Sequence, residues 1–165
     1  MNPITIATAI ETRVKSDVLL WVTADSEWTA ALAGGFWYGR AGAVLTYPYV
    51  VCSLGCIGDA NAFQGMGAIY EAEMTIHDVR SRGTDRIAYL IDRLIGNAML
   101  SSGTRTNPTY GFHNHNLVLP SNTLNETGAA MTWLDSEFSA GDGTEEIIGR
   151  LRFGLTTSNI AVNQG

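Results

Sequence analysis

The chain has 165 residues, 45% hydrophobic and 16% charged, with a net charge of −6. Such a length suits one domain that buries roughly 70% of the surface its unfolded form exposes. Lys15 is the only lysine and the arginines are scattered, so nothing is clustered to release counterions from phosphate, which excludes a protein that grips nucleic acid.

DNA can still pass near such a surface, repelled rather than held. No stretch approaches the roughly 20 apolar residues of a membrane span. Met1-Asn2-Pro3-Ile4 lacks a signal peptide's charged start and apolar run, so the expectation is a soluble protein, intracellular when made.

From Ile4 to Val22 the apolar residues Ile6, Ile10, Val14, Val18 and Trp21 recur every three or four positions, which predicts a helix with one buried face, opened by Pro3. A turn-rich stretch from Ala33 to Gly42 follows. Its aromatic centre, Phe36-Trp37-Tyr38, is expected as a short edge strand.

Tyr49 to Ile57, entered through Pro48, is apolar on both faces and reads as a central strand. Cys52 and Cys56 both lie in it, where four residues at about 3.3 Å each hold them about 13 Å apart, too far for a disulfide. Tyr70 to Val79 alternates: Tyr70, Ala72, Met74 and Ile76 face one way, and Glu71, Glu73, Thr75 and His77 the other. Between these strands, Gly58 to Ala68 is too long for a tight hairpin and too polar for core, so it is expected to project as a flap.

After Gly83 comes a helix with Thr84 at its cap and a stripe of Ile87, Leu90, Ile91, Leu94, Ile95, Ala98 and Met99, ending near Gly103. Ser101 to Asn116 is a long polar loop. Leu117 to Leu119 begins a strand that Pro120 ends. Two further strands, about Ala130 to Phe138 and Glu145 to Leu155, are joined by a hairpin connection, the second with Ile147, Leu151, Phe153 and Leu155 inward and Arg150 and Arg152 outward.

This order predicts an α+β fold: a mostly antiparallel sheet covered on one face by two helices, with long projecting loops. Residues 1–155 form the single domain. Thr156 to Gly165, without charge, form a C-terminal tail that is frayed or laid on a neighbour.

Candidate chemistry is thin. His113-Asn114-His115 spells the name of a nuclease motif, but its residues are consecutive and no helix follows. Cys52, Cys56, His113 and His115 have the ligand types of a zinc site, yet strand-bound cysteines do not make the knuckle that such sites use. Gly-x-Ser-x-Gly is absent, and Glu71, Glu73, Glu145 and Glu146 sit where solvated charge is expected. Neither cofactor nor metal is expected. Phe63, Met66, Tyr110, Phe112, Ile160 and Val162 are apolar residues placed on loops, and with Gln64 they are expected at an interface with a neighbouring subunit or a tube.

Tyr47-Pro48-Tyr49-Val50-Val51 entering a strand, the Gly-containing flap, Glu71 to Val79, the Arg/Asp-flanked helix, and Asp17-Val18-Leu19-Leu20 closing the first helix together resemble the tail-completion, or tail terminator, proteins of long-tailed bacteriophages. The resemblance covers about the first two thirds of the chain. It implies a homo-oligomeric ring, commonly six-fold, in the virion, which caps the tail-tube protein and docks onto the head-side connector while DNA crosses its lumen. The runner-up is a head-side stopper or adaptor ring of the neck. A small metal-dependent enzyme built on the Cys and His set is the third reading.

Overall fold

In a computed structural model of the chain, residues 3–24, 26–43, 46–62, 65–96, 111–112, 115–117, 129–140 and 145–159 are described. Helix α1 spans Pro3–Ala24 and the short α2 Ser26–Ala31. Strands β1 (Phe36–Tyr38), β2 (Tyr49–Ala62) and β3 (Gly65–Val79) precede α3 (Asp85–Ile95), and β4 (His115–Leu117), β5 (Ala129–Ala140) and β6 (Glu146–Asn159) complete the fold. The strands form one sheet in the order β1-β2-β3-β6-β5-β4, with only β1 and β2 parallel. This is the α+β, mostly antiparallel architecture read from the sequence.

Alternation decides which face is covered. Tyr70, Ala72, Met74 and Ile76 of β3, with Leu151, Phe153 and Leu155 of β6, are buried under the helices. From α1 come Ile10, Val14, Val18 and Trp21, spaced as one helical stripe requires; from α3 come Ile87, Leu90, Ile91, Leu94 and Ile95. The helix and strand sets form one cluster, so both helices lie on the same face. Closeness is enforced at Gly149, where a Cβ would stand 2.4 Å from Cγ2 of Ile87.

Helix α3 ends at Gly96, whose φ of 90° is a left-handed cap, and not near Gly103. Thr84 occupies the N-cap position but makes no side-chain hydrogen bond there. The chain leaves at Gly96 and returns at the same point: Gly111 has φ 94°, a Cβ on it would stand 2.2 Å from the Gly96 Cα, and the Phe112 N–H donates to the Leu94 carbonyl at 2.7 Å. Residues 97–110, with most of the expected polar loop and the positions Ala98 and Met99, lie outside the described residues.

Three expectations are corrected. The Gly58–Ala68 segment is no separate flap: β2 and β3 stay paired up to Ala62 with Gly65, and β6 pairs with β3 as far as Met66 with Asn159. Small residues let a strand continue where polarity suggested a loop. For the same reason Thr156–Asn159 belong to β6 and not to a tail. Finally, β2 is not central; β1 flanks it only at Val50, Val51 and Cys52, and β3 and β6 fill the middle of the sheet.

Candidate functional site: the charged sheet face

The face opposite the helices carries Glu71, Glu73, Thr75 and His77 from β3, Arg150 and Arg152 from β6, and Asp135 and Glu137 from β5. Register brings them together, since Asp135 stands opposite Arg152 and Glu137 opposite Arg150. Arg150 Nη1 lies 2.6 Å from Glu137 Oε1, and its Nε lies 3.5 Å from Glu73 Oε1. The Arg152 guanidinium grips both Asp135 oxygens and lies 3.7 Å from Glu71. That grip holds the Asp135 carboxyl below its usual range and raises Arg152 further.

The arginines lie between rows of acids across three strands, over a shallow depression of about 250 Å³ lined by Glu73, Asp135, Ser136, Glu137, Arg150 and Arg152. Four carboxylates against two guanidinium groups leave this face negative. Because the groups are largely exposed, the pairs order the surface more than they stabilise the fold.

A second cluster closes one end of the face. The rings of Tyr49 and His77 stack with centroids 4.6 Å apart and planes 6° apart. His77 Nδ1 lies 2.8 Å from Glu146 Oε1, which also accepts from the Tyr49 hydroxyl at 3.4 Å, and His77 Nε2 lies 3.3 Å from the Thr75 hydroxyl. Burial, then the Glu146 charge, pushes the Tyr49 hydroxyl up to about 12. Beneath them the fully buried Asp78 accepts from the Val79 N–H, and its other oxygen lies 3.3 Å from Arg86 Nε, off the line of a hydrogen bond. Arg82 and Arg86 donate to the Tyr47 carbonyl at 3.3 and 3.4 Å.

Thr75, His77 and Glu146 have the order of a hydroxyl, base and acid relay, which no sequence motif announced because the members are separated in the chain. The Thr75 hydroxyl donates to the Val51 carbonyl at 3.3 Å, and β3 is paired on both sides, so its main-chain N–H groups are committed and none is left to hold an oxyanion. The cluster ties β2, β3 and β6 together.

Cys52 is fully buried, and burial pushes its thiol up to about 12, away from the thiolate that metals need. It sits 3.4 Å from the Tyr38 hydroxyl. His115 belongs to β4, with β3, β6 and β5 between it and Cys52, so the two do not share an ion. Among the described residues no three His, Cys, Asp or Glu side chains gather as a metal site. The side chains of Cys56 and His115, and all of His113, lie outside the description.

Of the expected interface residues, Phe112 is corrected. Its ring is wholly buried, 4.7 Å from Trp21 and 6.0 Å from Phe153, because its polar neighbours in sequence concealed a core anchor. Met66 is a β3 residue by its backbone, with its side chain outside the description. Phe63, Gln64, Tyr110, Ile160 and Val162 lie outside the described residues. Exposed large apolar side chains occur instead at Leu19, Leu20, Leu134 and Phe138. Leu19 and Leu20 were legible as residues off the α1 stripe; Leu134 was not, since the register shift between Trp133 and Asp135 has no sequence mark.

The molecule is thus an open mixed sheet with helices on one face and self-paired charge on the other. A chain in a solved gene transfer agent virion shares the fold, with a TM-score of 0.56 at 15% identity over 87% of this chain and 93% of that one. A second solved structure matches with a TM-score of 0.54 at 13% identity over 96% of each chain. No protein-family model matches the sequence, and no curated protein matches it. No helix among the described residues is long and apolar enough to cross a membrane.

Proposed function

We propose that the chain is a structural subunit of a phage-like virion, a tail terminator whose homo-oligomeric ring, six-fold in this reading, caps the tail tube and joins it to the head-side connector. The observation that carries the reading is the negative, internally paired sheet face. Arg150 and Arg152 are both already bound to carboxylates, so among the described residues of this face passing phosphate finds no free cation and DNA slides across without being held. The fold shared with a chain of a gene transfer agent virion supports the coarser part of this reading, a subunit of a phage-like virion. No cofactor enters the proposed role, and the partners are copies of the chain, the tail-tube protein and the connector.

The test is native mass across concentration, alone and mixed with tail-tube protein, with metal read on the same sample. Closed rings, or rings formed only on tubes, are expected. A metal-loaded monomer indifferent to tubes would sink the proposal. Binding to the portal-side ring alone would reassign the chain to the head-side adaptor.

A further inference from the structure

Among the described residues, both outer flanks of the sheet carry long runs of main chain with no strand alongside. On one side β1 covers β2 only at Val50–Cys52, with the Gly39 N–H reaching the Cys52 carbonyl. Beyond that, from Ser53 to Ala62, no described strand lies alongside. On the other side β4 covers β5 only at Ala129–Met131, and from Leu134 to Ala140 no described strand flanks it. Open edges of this length seek strands.

We infer that these two edges pair with each other between copies, the Leu134–Ala140 edge of one subunit adding antiparallel to the Ser53–Ala62 edge of the next. This deepens the ring reading above and rests on it. Three geometric facts select a second copy as the occupant.

Direction is the first. Strands β2 and β5 run oppositely in the sheet, so copies placed side by side around an axis bring them together antiparallel. The core-facing residues Val50 and Cys52 turn their main-chain groups outward, the Val50 N–H to the Gly35 carbonyl and the Cys52 carbonyl to Gly39. Because β5 runs the other way with the same face toward the helices, its residues Ser136 and Phe138, opposite Leu151 and Gly149 in register, also turn theirs outward. Up to the register shift between Cys56 and Gly58, donors and acceptors therefore meet with the helices on one common side.

The second fact is offset. The middle of the open β2 stretch, Gly58, stands opposite Ile69; the middle of the open β5 stretch, Glu137, stands opposite Arg150 and through it Thr75. The six residues from Ile69 to Thr75, at about 3.3 Å each, shift one copy about 20 Å along the strands. In that position β1 fills the column below the neighbour's β5, and the neighbour's β4 fills the column beyond the tip of β2. Each copy then adds four strands, about 19 Å of sheet. Rise and width together give a strand tilt of about 45°, in the range of closed sheets, roughly 35–45°.

Hand is the third. Viewed from the helix side with β2 pointing up, L-stereochemistry turns the outward groups of its core-facing residues to the right. The next copy lies there and rides upward, so strands lean right-handedly around a ring whose helices are outside. That is the hand which strand twist imposes on a closed sheet. The charged face of Glu71, Glu73, Asp135, Glu137, Arg150 and Arg152 then lines the lumen. Four strands from each of six copies exceed the roughly 16–18 that already enclose an aqueous channel.

Ser136→Pro and Leu54→Pro each remove one outward N–H that no described strand accepts, and edge positions tolerate proline. Native mass and circular dichroism of both variants, and hydrogen exchange of wild type free and assembled, test the pairing. Folded monomers are expected from both variants, and residues 53–62 and 134–140 of wild type should slow their exchange by roughly 10-fold or more on assembly. If wild type assembles while both segments exchange as in the monomer, or folded variants assemble normally, the edge pairing is overturned and the ring stands. If wild type stays monomeric even with tubes, the ring reading fails and the pairing with it. Should either variant not fold, the exchange comparison decides alone.

Discussion

The ring of Phe112 rests 4.7 Å from that of Trp21, tilted by 54°, and so fastens the return of the chain at Gly111 onto α1. It meets Phe153 edge-on as well. Truncating an aromatic side chain so enclosed leaves a cavity, and Phe112→Ala should cost about 3–5 kcal/mol in urea unfolding. A midpoint within error of wild type would show that the ring is not core.

Gly149 lets α3 approach the sheet closely. Its Cβ in a Gly149→Ala variant would press 2.4 Å from the branched Ile87, which cannot swing away as a long side chain could. Overpacking of about 1–3 kcal/mol is expected. The double variant with Ile87→Val should recover part of it, since it changes the same contact.

Alkali should destabilise the protein. Burial raises the Cys52 thiol from 9.0 to about 12 and the Tyr49 hydroxyl from 10.0 to about 12. Groups whose folded pKa lies above the unfolded one stabilise fully below the unfolded value and lose that stability as pH rises to the folded value. Melting temperature should therefore decline from about pH 9 to about pH 12. In Cys52→Ala the first part of that decline should flatten, as followed by far-ultraviolet circular dichroism.

On the charged face, Arg150→Ala and Arg152→Ala together leave Glu71, Glu73, Asp135 and Glu137 facing one another. The double variant should melt below wild type at low salt. That deficit should shrink toward about 1 M salt, where the Debye length falls to about 3 Å. A deficit insensitive to salt would mean lost packing of the arginine stems.

Regular periodicity carried most of what the sequence disclosed. The α1 and α3 stripes, the β3 alternation and the outward Arg150 and Arg152 each repeat often enough to specify a face. Edges and ends were harder. Gly58 to Ala68 has a loop's composition, and its pairing between β2 and β3, with β6 beyond Met66, makes it strand. Phe112 follows Gly111 in a polar run, and nothing local separates a docking aromatic from a core one. The charged face was legible as separate solvated residues, but its pairing depends on the register between β5 and β6, where the shift near Trp133 leaves no trace in composition. The Thr75, His77 and Glu146 cluster likewise needed three-dimensional neighbours.

The stapled exit and return at Gly96 and Gly111 bring the two ends of the intervening stretch to one point. Their contact and the Phe112 to Leu94 hydrogen bond fix both ends before anything between them is specified. Lengthening a segment held this way costs only about 0.6 kcal/mol per doubling. An epitope or a small reporter domain grafted between these two glycines should therefore leave the sheet and its helices unaltered, giving a handle by which a single copy can be labelled.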